Sequence, residues 1–249
     1  MRLFRKTLAS FFLGVRSFLF MVSFFAVTIL LIGFFCWVLL LPERYVYVHV
    51  RLWSYLITLC LKYIAGITSQ VIGLENIPPG PAIIAMRHES TWETVVMFLY
   101  IRHLTFVVKE ELTWIPFFNL FLRKFRCISV KRGQKGANVR TFLKQGKELL
   151  AKEYHLLIFP EGSRMAPGTL RPFRGGLGLL YGQAGVPVIP AVLNSGRCWP
   201  RRRFYKFPGT VTLRFLPAIP AGMPRECFLE HFTQLFTEAY QELEEGGGS

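Results

Sequence analysis

The chain has 249 residues, of which 52% are hydrophobic and 24 are Phe, and it carries a formal net charge of +15. That length holds one catalytic domain and a short appendage, and the apolar content with its positive mean hydropathy points to lipid. The basic excess draws the chain to anionic surfaces, either phospholipid headgroups or nucleic acid. No zinc finger, helix-turn-helix signature or RNA-binding aromatic block accompanies it, which favours the membrane. Cys36, Cys60, Cys127, Cys198 and Cys227 are scattered and odd in number, a pattern of neither a disulfide framework nor a metal cluster, and one that fits a reducing compartment.

In chain order, Ser17 to Leu41 is a run of 25 residues without a charge, preceded by Arg2, Arg5, Lys6 and Arg16. It is long enough to cross the hydrocarbon core with some tilt. It is also too long for the apolar region of a cleaved signal peptide, and no small-x-small cleavage site stands near its end. A second apolar segment, Val46 to Ala65, is interrupted by His49, Arg51 and Lys62. It reads either as a returning helix or as an amphipathic helix in the interface, with Trp53, Tyr55 and Tyr63 as anchors. The basic residues ahead of the first run favour a cytoplasmic N-terminus, and a returning hairpin then keeps the rest of the chain on the cytoplasmic face of the inner membrane. The expected organisation is a membrane anchor over 1–66, with a transmembrane helix at 17–41 and the second helix at 46–65. A catalytic domain follows over 67–245, then a flexible Gly-Ser tail at 246–249.

From Thr68 onward, short apolar runs alternate with longer amphipathic segments. The expected strands are Gln70 to Gly73, Ala82 to Met86, Thr105 to Val108, Cys127 to Val130, Leu156 to Phe159, Val188 to Val192 and Thr210 to Phe215. The expected helices are Glu93 to Ile101, Glu110 to Lys124, Ala137 to Lys152, Gly175 to Ala184 and Arg225 to Glu244. This alternation predicts an α/β fold, a central sheet flanked by helices. The aromatic stretch Leu112 to Phe118 suits either ordinary core or a face turned to membrane or acyl chain.

Two loops at strand ends carry the chemistry. In Arg87-His88-Glu89-Ser90-Thr91-Trp92-Glu93, a histidine on a strand-to-helix loop precedes a carboxylate by five positions. The acid can hold one ring nitrogen protonated and leave the other to take a proton from a hydroxyl. The same residues also read as a helix start, with Ser90 as N-cap and Glu93 completing a capping box. The second loop, Phe159-Pro160-Glu161-Gly162-Ser163-Arg164, follows another buried strand, the usual place for a site in an α/β sheet.

Together these stretches resemble the 1-acyl-glycerol-3-phosphate acyltransferases of the glycerophosphate acyltransferase superfamily. That family carries His-x4-Asp as its catalytic block and Phe-Pro-Glu-Gly-(Thr/Ser)-Arg as a substrate block. Arg126-Cys127-Ile128-Ser129-Val130-Lys131-Arg132 sits where the family has a glycine, an apolar run and an arginine, and Val186-Pro187-Val188-Ile189-Pro190 matches its late block. The resemblance covers about Gly73 to Asn194, roughly half of the chain. It implies a mixed sheet of the acyltransferase type, with His88 and Glu93 catalytic and Arg132, Glu161, Gly162, Ser163 and Arg164 on the glycerol-phosphate side. A guanidinium at Arg132 or Arg164 can hold a phosphate bidentately. Glu161 orients one of these arginines, accepts a glycerol hydroxyl, or forms a salt bridge within its loop. Arg171 and Arg174 either extend the basic pocket or stay solvated, and the basic run Arg197 to Lys206 meets lipid headgroups. The departures are Glu93 for the family's Asp, and Arg126 and Lys131 for a glycine and an acid.

The implied reaction moves an acyl chain from a thioester, either acyl-CoA or acyl carrier protein, to the 2-hydroxyl of lysophosphatidate, giving phosphatidate for phospholipid synthesis. No cofactor, metal or acyl-enzyme is expected, and Ser90 is read as a cap. An acceptor such as lyso-ornithine lipid keeps the chemistry but leaves the phosphate ligands idle. A membrane lipid-binding module without turnover is the non-enzymatic reading.

Overall fold

A computed structural model describes residues 2–38, 40–115, 118–131 and 137–246. Seven strands form one sheet in the order β1-β7-β6-β2-β5-β3-β4. They are β1 (Ile67–Ile72), β2 (Ile83–Met86), β3 (Leu104–Lys109), β4 (Ile128–Val130), β5 (His155–Ile158), β6 (Val188–Leu193) and β7 (Gly209–Phe215). Each falls on a predicted strand, with ends moved by up to three residues. The helices are α1 (Arg2–Val38), α2 (Glu43–Cys60), α3 (Trp92–Tyr100), α4 (Phe118–Lys124), α5 (Ala137–Leu150), α6 (Gly176–Ala184), α7 (Ser195–Cys198) and α8 (Arg225–Gly246). The predicted helix Glu110 to Lys124 is a 3-10 turn over Glu110–Trp114 followed by α4, with Pro116 and Phe117 outside the described residues.

The chain forms two compact units. The first comprises Met1–Gln70, Glu89–Tyr100 and Asn194–Thr212. Here α1 begins well before the predicted Ser17, because Arg2 to Arg16 continue the helical turn that the apolar run starts. It stops at Val38, and Pro42 follows a turn at Leu40 and Leu41. Over Thr7–Leu31 it is long and apolar enough to cross a membrane by length and composition, and 11% of the window is buried, unlike a core helix. Its few buried contacts are specific. Arg16 Nε donates to Ile64 O at 2.8 Å, Ser17 Oγ accepts from Lys206 N–H at 2.9 Å, and the Phe20 ring meets Trp199 edge-on at 5.1 Å. Helix α2 packs between α1 and α3, with Ser54 Oγ donating to Val95 O at 2.6 Å. It ends in a π turn, Leu61–Ala65, capped by left-handed Gly66.

The second unit comprises Val71–His88, Ile101–Leu193 and Leu213–Ser249. Its strands β2, β5 and β6 are buried along their whole length, which explains their unbroken apolar runs, since parallel strands covered on both faces need no alternation. β2 pairs in parallel with β5 and β6, β3 pairs in parallel with β5 and β4, and β6 runs antiparallel to β7, so the sheet is mixed as expected. Pro190 interrupts no bond. Lacking an N–H, it joins the ladder through its carbonyl, which accepts Leu216 N–H at 2.9 Å, while Val188 and Ile219 exchange bonds at 3.0 and 2.8 Å. Helices α5, α6 and α8 pack against one another and the strands, with Tyr181 stacked on Phe228 at 3.8 Å.

Candidate active site

The parallel register of β2 and β5 assembles the site within the second unit. Ala85 lies opposite Ile158, so His88 and Glu161, each three residues further on, leave the sheet side by side. The backbone N–H of His88 donates to Glu161 Oε2 at 3.1 Å, and the imidazole stacks on Phe159 with ring centroids 3.9 Å apart. From the other side, Met165 N–H donates to His88 O at 2.7 Å. The predicted histidine is thus held at both backbone atoms and over one ring face by the second predicted loop.

That loop turns tightly. Gly162 N–H closes onto Phe159 O at 2.9 Å with Pro160 next in the turn, and Gly162 itself has φ of 68°. The left-handed conformation is what calls for glycine at 162, and a Cβ there would in addition meet the Arg174 side chain, which would have to move aside. Arg174, although exposed, therefore lies against the loop, and its N–H donates to Pro160 O at 2.9 Å. Ser163 and Arg164 are half-buried in the same loop.

Glu161 is buried, and its second oxygen accepts from Arg87 Nη1 at 2.7 Å. Its buried ion pair is thus with the residue before the histidine, a partner from outside its own loop that the sequence reading did not offer. A positive charge at the end of a buried strand, as in Met86-Arg87, is the signal that could have found it, because such a charge needs a counter-ion. Arg87 also donates through Nη2 to Thr169 O at 2.7 Å and to Ala166 O at 3.3 Å, and its guanidinium lies 3.6 Å from the centroid of the Tyr240 ring.

The first unit contains the start of α3 and a second cluster of buried carboxylates. Glu93 Oε1 accepts from Glu89 N–H at 2.7 Å and Ser90 N–H at 2.8 Å, while Oε2 accepts from Ser90 Oγ at 3.1 Å and Ser195 Oγ at 2.9 Å. Ser90 Oγ in turn accepts from Trp92 N–H at 2.8 Å. Of the capping box expected of Ser90 and Glu93, the bond from Ser90 N–H to the Glu93 carboxylate is formed, but α3 begins at Trp92, so Glu93 is its second residue and Ser90 Oγ takes Trp92 N–H, in a first turn where an anion is favoured. Glu89, also buried, accepts Gly196 N–H at 2.9 Å at the start of α7, a helix the sequence reading missed. His88 belongs to the second unit and Glu93 to the first.

Arg132 lies outside the described residues. Of its block, Arg126 has φ of 53°. Its N–H bonds Arg123 O at 3.0 Å and the next N–H, of Cys127, bonds Leu122 O at 2.8 Å, so Arg126 fills the left-handed position that closes α4. This is a backbone requirement for glycine, met here by an arginine whose guanidinium sits 5.7 Å from the Tyr154 ring centroid. Burial raises the neighbouring Cys127 thiol to about 11, despite hydrogen bonds with Phe106 backbone and Thr105, so it is inert at neutral pH. Lys131 is exposed.

The family model for acyltransferases matches residues 68–194 of the chain. Among curated proteins, the 1-acyl-sn-glycerol-3-phosphate acyltransferase of Pseudomonas aeruginosa is 40% identical over 161 residues, 64% of this chain and 62% of that one. The 1-acyl-sn-glycerol-3-phosphate acyltransferase alpha of Homo sapiens is 29% identical over 170 residues, 66% of this chain and 59% of that one. The chain thus spans about six-tenths of the length of these relatives. The crystal structure of the 1-acyl-sn-glycerophosphate (LPA) acyltransferase PlsC from Thermotoga maritima shares the fold, with a TM-score of 0.77 and 22% identity over 93% of this chain and 98% of that one.

Proposed function

Because the chain belongs to the acyltransferase family, we propose that it transfers a fatty acyl group from a thioester to the 2-hydroxyl of 1-acyl-glycerol-3-phosphate, giving phosphatidate. The observation that carries this reading is the bond from His88 N–H to Glu161 Oε2, with Met165 N–H returning to His88 O. It makes the histidine block and the Phe-Pro-Glu-Gly-Ser-Arg block one structure, in which a histidine is held beside a loop with Ser163 and Arg164 half-exposed.

In the reaction, His88 takes the proton of the acceptor hydroxyl as its oxygen attacks the thioester carbonyl. A C–O bond forms, the tetrahedral oxyanion collapses, the C–S bond breaks, and the imidazolium returns the proton to the departing thiolate. General-base assistance of this kind contributes on the order of 10²- to 10⁴-fold in rate. The stacking on Phe159 and the two backbone anchors fix where the imidazole stands, so little orientation is lost on reaching the transition state. By the family resemblance, Glu93, five residues on in the sequence, has the role of the acid that favours the imidazolium and the required tautomer. Arg132 and Arg164 hold the acceptor phosphate, Gly162 permits close backbone approach, and Ser163 is a further hydrogen-bonding ligand. Helix α1 anchors the protein in the inner membrane with the site on the cytoplasmic side, where either acyl-CoA or acyl carrier protein can deliver the thioester.

The test is acylation of lysophosphatidate by detergent-purified protein with each donor, beside His88→Ala, with lyso-ornithine lipid as a competing acceptor. Phosphatidate formed by the parent and lost in the variant supports the reading. Acylation of the ornithine lipid alone would reassign the acceptor, and binding to anionic vesicles without turnover on either acceptor would replace the enzyme with a binding module.

A further inference from the structure

Arg87 and Tyr240 are absent from the residues that the reaction itself requires, yet they form a buried polar cluster in the second unit. Arg87 is wholly buried at the end of β2, one residue before the base. Its guanidinium spreads its donors over Glu161 Oε1, Ala166 O and Thr169 O at 2.7, 3.3 and 2.7 Å, thereby gripping both ends of the loop that follows Glu161. The Tyr240 ring covers one face of that guanidinium at 3.6 Å, and the Tyr240 hydroxyl accepts Gly168 N–H at 2.8 Å, in the same loop between the two carbonyls. Glu161, so fixed, accepts the N–H of His88.

We propose that Arg87 and Tyr240 are positioning residues, through which the C-terminal helix α8 sets the place of the general base and of the 161–169 loop. The inference rests on the acyl-transfer reading for its kinetic arm only. Its physical basis is geometric. Only a planar fork serves three acceptors lying on different sides of one group, whereas an ammonium offers its donors from a single point. Only an aromatic face can desolvate that fork without leaving its flat side unpaired. An ion pair replaced by hydrophobic residues often costs a fold nothing. A requirement for the arginine fork here would therefore mark a need for geometry over stability.

The experiment combines steady-state kinetics with hydrogen exchange on the full chain, for Arg87→Lys, Tyr240→Leu and Tyr240→Phe. Positioning predicts that Arg87→Lys and Tyr240→Leu lower kcat by about 10- to 100-fold while KM for the thioester stays within about twofold, because a misplaced base loses transition-state geometry and leaves donor binding alone. Tyr240→Phe keeps the ring and loses only the Gly168 bond, so its loss is smaller than that of Tyr240→Leu. Without any substrate, peptides spanning His88 and 162–169 should exchange at least about 10-fold faster in the first two variants, while β6 keeps its parental protection. Parental kcat in Arg87→Lys and Tyr240→Leu would overturn the proposal, as would exchange that rises equally in β6, since that marks general destabilisation. Should the parent fail to acylate lysophosphatidate, the acyl-transfer reading falls and the exchange comparison still decides the positioning role.

Discussion

Arg87 Nη1 stands 2.7 Å from Glu161 Oε1 with both side chains out of solvent, at 0% and 1% exposure. At that depth a pair is costly to break from one side, because the survivor is a buried charge with no counter-ion. Glu161→Ala should therefore destabilise the protein by about 3–5 kcal/mol, read as a lowered denaturation midpoint. Replacing both partners, as in Arg87→Met with Glu161→Leu, should recover part of that stability and none of the activity.

Glu93 separates charge from hydrogen bonding. Glu93→Gln can turn its carbonyl to the amides of Glu89 and Ser90 and its NH₂ to the hydroxyls of Ser90 and Ser195, which can rotate to accept. Stability should change by no more than about 1 kcal/mol, while acylation falls by roughly 10²- to 10⁴-fold as the anion is lost. Glu93→Ala strands several buried donors and should cost about 3 kcal/mol. Equilibrium denaturation beside turnover distinguishes the two effects.

Left-handed conformations at non-glycine positions offer a route to a more stable protein. Arg126 and Glu153, with φ of 53° and 64°, each sit just past the end of a helix, α4 and α5. Arg126→Gly and Glu153→Gly should each raise stability by about 0.5–1 kcal/mol, since the native strain relieved exceeds the added freedom of the unfolded chain. Gly73→Ala should act oppositely, because its φ is 79° and the new Cβ would strike Phe215 O.

His155 sets a pH dependence away from the site. Burial lowers its proton affinity, a hydrogen bond with the Pro78 backbone opposes this, and the charge of His103 adds to it, leaving a net depression below 6.5. The unfolded chain then binds a proton that the folded one refuses. Stability contributed by the neutral ring is present above pH 6.5 and is lost as the pH falls below it, at no more than about 1.4 kcal/mol per pH unit. Denaturation at pH 7.5 and 5.5 should show a larger loss for the parent than for His155→Gln.

The seven strands, the order of the motifs and the loops that carry them were legible in the sequence, because each is a local pattern. Buried parallel strands read as short apolar runs such as Ile83–Met86, and a loop such as Pro160-Glu161-Gly162 announces itself by proline and glycine. The pairing of Ser90 with Glu93 at the start of α3 was legible too, since both residues lie within one turn of chain. What only the tertiary structure decided is which distant residues meet. The register that sets Ala85 opposite Ile158, and hence His88 beside Glu161, is a property of two strands 73 positions apart, and no periodicity within either one encodes it. The same holds for Tyr240, an unremarkable position on an amphipathic helix until the packing of α8 lays its ring over Arg87. Local steric rules write the elements into the chain, but the counter-ion of a buried charge is chosen by the packing that buries it.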